Sequence, residues 1–263
     1  LTASGLFFFH TPKAAGTAIG RMLSARFAAA ERCPLIENTE RDHQRRAGDY
    51  SAYRGYRYFG GHYGFDIFSQ VAEDHLPVTN FREPLERLYS LYRYFRFVVK
   101  VPDDAISQDD LYPVVFAQRY DFQSFVATDD PRIEVHTRNH QVRQLSGSAW
   151  SPGSPADLPQ AMRLLDRMPW YYLCAYPAVS QLWAQAVFGE NAGPIARDNI
   201  TKGGRAPGTR VVERRAIAEK NALDAELYRA AERRLLGWAR ACAASQPVHS
   251  QGNPWVAGPW PRT

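Results

Sequence analysis

Lysine is the scarcest charge in this chain: of 32 basic side chains only four are lysines, Lys13, Lys100, Lys202 and Lys220. Cysteine is scarce too. Cys33, Cys174 and Cys242 are too few and too scattered for a disulfide framework or a zinc site, so no structural metal is expected. No apolar run reaches the length of a membrane span. No basic run exceeds two residues, and the net charge of +5 is modest for 263 residues, so nucleic acid is not an expected partner. What is present suits a globular core. Hydrophobic residues make up 45% and aromatics 13%, and the length fits one large α/β domain over residues 1–244 followed by a tail, 245–263, with Trp255 and Trp260.

One of the rare lysines stands in the most informative stretch, Phe7-Phe8-Phe9-His10-Thr11-Pro12-Lys13-Ala14-Ala15-Gly16-Thr17. An apolar strand ends at His10, a short loop follows, and a helix begins with Ile19, Met22, Leu23 and Phe27 on one face. A helix N-terminus has unpaired amides and a positive dipole end, so strand, loop and helix together make an anion cradle. Lys13 adds a full charge and Thr17 a hydroxyl. The nucleoside-triphosphate loop is a different pattern: its first glycine is missing here, and the lysine precedes Gly16 rather than following it. A second segment, Pro77 to Arg82, reads as a buried strand broken by Glu83-Pro84, with a helix through Leu85, Leu88, Tyr92 and Phe95. Arg82 at the strand end and Ser90 two turns into the helix suit a terminal phosphate monoester.

Together these segments resemble the two cofactor loops of sulfotransferases that use 3′-phosphoadenosine 5′-phosphosulfate (PAPS). His10-Thr11-Pro12-Lys13-Ala14-Ala15-Gly16-Thr17 looks like that family's 5′-phosphosulfate loop, and Arg82-Glu83-Pro84-Leu85-Glu86-Arg87-Leu88-Tyr89-Ser90 like its 3′-phosphate segment. Asn139-His140-Gln141-Val142-Arg143-Gln144-Leu145-Ser146-Gly147, Asn199-Ile200-Thr201 and Asp224-Ala225-Glu226-Leu227-Tyr228 are similar to further elements of the carbohydrate branch, typified by heparan sulfate 2-O-sulfotransferases and their bacterial relatives. The resemblance implies a P-loop-like three-layer α/β fold with a central parallel sheet. It implies cofactor contacts from Lys13, Ala14, Ala15, Gly16, Thr17 and Ala18 on one side and Arg82 and Ser90 on the other, with adenosine 3′,5′-bisphosphate as product and no metal. The expected acceptor is a hydroxyl of a saccharide or small molecule. Animal members of that branch are anchored in the Golgi through an N-terminal helix and bacterial ones commonly are not; the arginine- and alanine-rich composition suits a GC-rich bacterial genome, and a cytoplasmic location is expected.

Strands are expected at Leu6–His10, Tyr56–Gly60, Val78–Arg82 and Tyr171–Tyr176, each opening onto a polar loop at one edge of the sheet. The helix after the fourth should turn Val179, Leu182, Trp183, Ala186 and Val187 inward, and residues 221–243 should form a long helix. Residues from about 97 to 155 read as short helices and loops covering an acceptor site. Histidine is the usual base for a hydroxyl acceptor near neutral pH. His62, after the second strand and between Gly60-Gly61 and Gly64, is the first candidate, the glycines giving a ligand close approach. A turn histidine bonded to backbone is the other reading of His62; Glu134, His136 and His140 are alternative bases, and His10 is expected beneath the loop. Lys202-Gly203-Gly204-Arg205 is either a flap over the 3′-phosphate, with Lys202 and Arg205 as cofactor contacts, or a plain surface loop. Two rival functions remain at this stage: a phosphotransferase with an atypical loop, and a nucleotide- or glycan-binding module without turnover.

Overall fold

A computed structural model describes residues 3–101, 111–147, 153–189, 195 and 211–245. Lys202, Arg205, the Asn199–Thr201 element and the tail tryptophans lie outside the described residues. Four strands, β1 (Leu6–Phe9), β2 (Tyr58–Gly61), β3 (Leu76–Phe81) and β4 (Tyr171–Leu173), form one sheet in the order β2-β1-β3-β4, with every pair parallel. Helices flank this sheet, and the fold is α/β with a central parallel sheet. Burial on both faces explains the unbroken apolar runs: Leu6, Phe7, Phe8 and Phe9 are each 1% exposed or less.

The chain order sets the position of the site. From β1 the chain passes through α1 (Gly16–Ser24) and α2 (Asn38–Ala47) to β2 on one side. It then crosses through α3 (Phe65–Val71) to β3 on the other side of β1. Strand order reverses between β1 and β3, and at such a switch point a crevice opens beyond the carboxyl ends of the strands. Phe9 pairs with Gly61 and Thr79, and Phe81 with Leu173, so His10, His62, Arg82 and Cys174 are the first residues beyond the four strand ends.

After β3, α4 (Pro84–Phe97) begins with Pro84 in its first turn and Glu83 as its cap, a side-chain oxygen of Glu83 accepting from the Glu86 amide. The irregular region resolves into α5 (Tyr112–Arg119), α6 (Phe122–Ala127), α7 (Pro131–Thr137) and α8 (His140–Ser146). Phe125, Val126, Ile133 and Ala117 from α5–α7 pack with Leu88, Leu91 and Tyr92 of α4 in a second apolar cluster. By contrast α8 belongs to the main core through Val142 and Leu145. It is an inner buttress where the sequence suggested a cover.

The remaining elements are α9 (Asp157–Arg167), α10 (Pro177–Phe188), α11 (Val211–Lys220) and α12 (Ala222–Ala244). β4 is shorter than expected, because Tyr176 turns back to donate to the Leu173 carbonyl before Pro177 opens α10. The inward face of α10 also differs. Ser180, Trp183, Ala184 and Phe188 are buried, whereas Leu182 is 58% exposed. Ser180 sets this rotation: its hydroxyl accepts from the Leu173 amide at 3.0 Å and its carbonyl from Trp170 Nε1 at 2.9 Å. Among the described residues, no helix is long and apolar enough to cross a membrane.

Candidate active site

The loop after β1 is the one place in the described chain where two left-handed residues that are not glycine stand two positions apart: φ is +66° at Lys13 and +67° at Ala15, with Ala14 between them on the ordinary side. Each costs roughly 1–2 kcal/mol relative to a relaxed backbone. Alternation of this kind turns successive amides toward a common centre and forms an anion-binding nest. The amides of Gly16, Thr17 and Ala18 at the start of α1 donate to no acceptor among the described residues. Thr17 is exposed, so its hydroxyl is accessible at the same end.

Asn80 on β3 holds the strained loop. It is fully buried; Nδ2 donates to the carbonyls of Thr11 at 2.9 Å and Ala14 at 2.6 Å, while Oδ1 accepts from the Thr11 amide at 2.8 Å. Gln144 of α8 closes the other side. Its Oε1 accepts from the Thr11 hydroxyl at 3.0 Å, and its Nε2 donates to the Tyr63 carbonyl at 2.9 Å and the His10 carbonyl at 3.3 Å. Gly16 is required by close approach: a Cβ there would fall 1.9 Å from Cδ2 of the His10 ring, which lies beneath the loop as expected.

Arg82 reaches the same loop from β3, with Nη1 donating to the Lys13 carbonyl at 3.3 Å and Nη2 3.5 Å from Glu86. Its amide donates to Gln141 Oε1 at 3.1 Å. Ser90 is buried on α4, one turn beyond Glu86 on the same row of the helix. Lys13 is half-buried; desolvation, and then Arg82, lower its pKa below the usual lysine value. Its ammonium lies over the Tyr94 ring. Gln141 Nε2 and Arg87 Nε are buried without a hydrogen-bond partner among the described residues.

His62 stands directly after β2, its ring 4.6 Å from that of His10. Its side chain is exposed toward solvent, yet protein atoms crowd the rest of it. That crowding and then the Arg41 cation push its pKa down to about 4. Burial and then His62 push His10 down to about 3. Two of the flanking glycines are already closely approached by the protein's own side chains: a Cβ at Gly60 would meet the Tyr58 hydroxyl at 2.4 Å, and one at Gly61 the Tyr63 ring at 2.7 Å.

The alternative bases are differently placed. Glu134 is buried and ion-paired with Arg138 at 3.0 Å and Lys220 at 3.6 Å. His140 directs Nδ1 at the Val135 carbonyl, and burial holds its pKa well below the ordinary value. His136 is lowered to about 4 by burial and then by Arg143, Arg87 and His62, so it lies within electrostatic reach of His62.

Four residues that support the site were not singled out from the sequence as site residues: Asn80, Gln141, Gln144 and Asp224. Asp224 is fully buried, and its carboxylate caps α8 by accepting from the amides of Gln141 at 3.1 Å and Val142 at 2.8 Å. Asn139 returns the cap, its side chain accepting from the amides of Leu223 and Asp224 at the start of α12. Burial raises the Asp224 pKa, while Arg87 and the two amides oppose that. The one available signal was polar residues inside apolar segments, Asn80 within β3 above all.

No family model matches this chain, and no curated protein matches it either. The functional reading therefore rests on the residues themselves.

Proposed function

We propose that this protein is a PAPS-dependent sulfotransferase acting on an acceptor hydroxyl, of a carbohydrate or glycoconjugate. The observation that carries the reading is the pairing, at the switch point between β1 and β3, of an alternating-φ loop bearing Lys13 with Arg82 at the end of the next strand. Free amides, an accessible Thr17 hydroxyl and these two buried donors fit a ligand with two separate anionic groups.

PAPS supplies the sulfuryl group. In this reading the amides from Ala14 to Ala18 hold the 5′-phosphosulfate, and Arg82 and Ser90 hold the 3′-phosphate, with Lys202 and Arg205 as further candidates outside the described residues. Lys13 stabilises the negative charge that grows on the leaving bridging oxygen, and His62 accepts the proton of the attacking hydroxyl. The lowered pKa of His62 keeps its ring neutral, the only form able to accept a proton. A phosphotransferase finds less support: the carboxylate following β3, Glu83, is occupied in capping α4.

A thermal-shift panel without added metal tests the proposal. Adenosine 3′,5′-bisphosphate at about 100 times its dissociation constant should stabilise the fold by roughly 2.7 kcal/mol. ATP and AMP should give less. Equal shifts from AMP and the bisphosphate would remove the case for a 3′-phosphate site at Arg82 and Ser90.

A further inference from the structure

Tyr94 carries none of the motif positions, yet it is the residue that Lys13 touches. The ammonium nitrogen lies over the ring face, 4.1 Å from the centroid. Positions 86, 90 and 94 follow at four-residue steps on α4, so the ring stands one turn beyond Ser90 and two beyond Glu86, which pairs with Arg82. The Lys13 backbone is fixed by its left-handed conformation and by the Arg82 contact to its carbonyl, but its four-carbon side chain is intrinsically mobile. Among the described residues no carboxylate or carbonyl binds the ammonium, and its nearest charged influence, Arg82, is a like charge. The ring is what offsets that repulsion.

We propose that Tyr94 is a positioning residue for Lys13: the ring face holds the ammonium at the mouth of the anion loop, leaving its other donors free for the ligand. The catalytic consequence rests on the sulfuryl-transfer reading; the geometry does not. An ammonium has three donors, and an aromatic face attracts it through the ring quadrupole without forming an ion pair. A carboxylate would hold the lysine equally well, but it would cancel the charge needed by the leaving oxygen and repel the incoming anion. A ring restrains without neutralising.

Protein labelled with 13C-lysine tests this directly, since only four lysines give signals and Lys13→Arg identifies one of them. Protons above a ring face are shifted upfield. The Lys13 Hε signal should be upfield in the wild type and in Tyr94→Phe, and unshifted in Tyr94→Leu. It should stay upfield when adenosine 3′,5′-bisphosphate is added. In kinetics, Tyr94→Leu should lower kcat about three- to tenfold, with KM for the sulfuryl donor held within about twofold, and Tyr94→Phe should restore kcat. An unshifted wild-type signal would overturn the proposal. So would a shift that disappears on binding, which would make the ring a resting place only, or a Tyr94→Leu enzyme with wild-type kcat. A protein that shows the shift but binds no bisphosphate would remove the sulfuryl-transfer reading while supporting the ring's hold on Lys13.

Discussion

Two histidines pack against glycines at opposite ends of β1, and they have opposite surroundings. At the amino end His75 and the Arg57 carbonyl share the space beside Gly5, where a Cβ would fall 2.1 Å from the carbonyl oxygen and 2.5 Å from the ring. Both His75 nitrogens have partners: Nδ1 faces Asp74 at 2.9 Å and Ser4 at 3.1 Å, and Nε2 faces the Tyr56 carbonyl at 2.9 Å. At the carboxyl end His10 fills the space beside Gly16 in the same way. Its ring makes no hydrogen bond among the described residues; its neighbours are the Phe8 and His62 rings. The amino end satisfies its polar groups and adds stability. The carboxyl end combines strained backbone, neutral imidazoles and unpaired donors, a state that a bound anion would relieve.

The largest expected effect separates the ends by activity. His62→Ala should lower turnover by roughly 10²–10⁴-fold while bisphosphate binding stays normal; near-normal turnover would pass the role of base to His136, which His62 influences electrostatically. Next, Lys13→Ala should cost about 10²–10³ in kcat, because its contact strengthens in the transition state. Arg82→Ala should instead weaken bisphosphate binding. Steady-state kinetics that left kcat of Lys13→Ala intact would end the lysine's assigned role.

A smaller effect compares the glycines directly. Gly16→Ala forces a Cβ into the His10 ring, and Gly5→Ala forces one into the Arg57 carbonyl as well as the His75 ring; each should cost about 1–3 kcal/mol in urea unfolding. Only Gly16→Ala should also impair bisphosphate binding, and combining it with His10→Ala should recover part of the lost stability. Equal loss of binding in both variants would mean that the two ends are not independent.

The last effect is in pH, and it is gradual. His10 and His62 have folded-state pKa values of about 3 and about 4, below the unfolded value near 6.5. The unfolded chain therefore binds more protons between those values, so this contribution to stability is complete above pH 6.5 and is lost as pH falls toward 4. For His10 the slope should be at most about 1.4 kcal/mol per pH unit. The acid limb of kcat/KM should lie toward pH 4 rather than 6.5; a limb at 6.5 would show that His62 titrates as an ordinary histidine.

The loop between β1 and α1 and the break between β3 and α4 were legible in the sequence because their signals are local. Lys13, Gly16 and Thr17 all follow within eight residues of the end of β1, and Pro84 marks the start of α4. The clamps were not legible. Asn80 reaches Thr11 across 69 residues, Gln144 reaches it across 133, and Asp224 reaches Val142 across 82. Periodicity carries no information about such pairs. Gly60 and Gly61 show a related limit: a glycine signals close approach but not by what, and here tyrosines from the same strand and the turn after it lie where a Cβ would stand. On α10 the apolar pattern was misread by the position of Leu182, because the link from Ser180 to β4 sets the helix rotation.

The reciprocal caps of α8 and α12 bear on the order in which the molecule is completed during synthesis. The loop after β1 leaves the ribosome well before Gln144, which reaches it from α8, and α8 in turn is capped by Asp224 near the start of α12. Chains emerge at about 5–20 residues per second. The sheet edge carrying Lys13 thus exists for roughly ten seconds or more before its full support has been translated. A nascent chain released before residue 224 would hold the whole Lys13–Thr17 loop in its sequence and still lack the framework that shapes it.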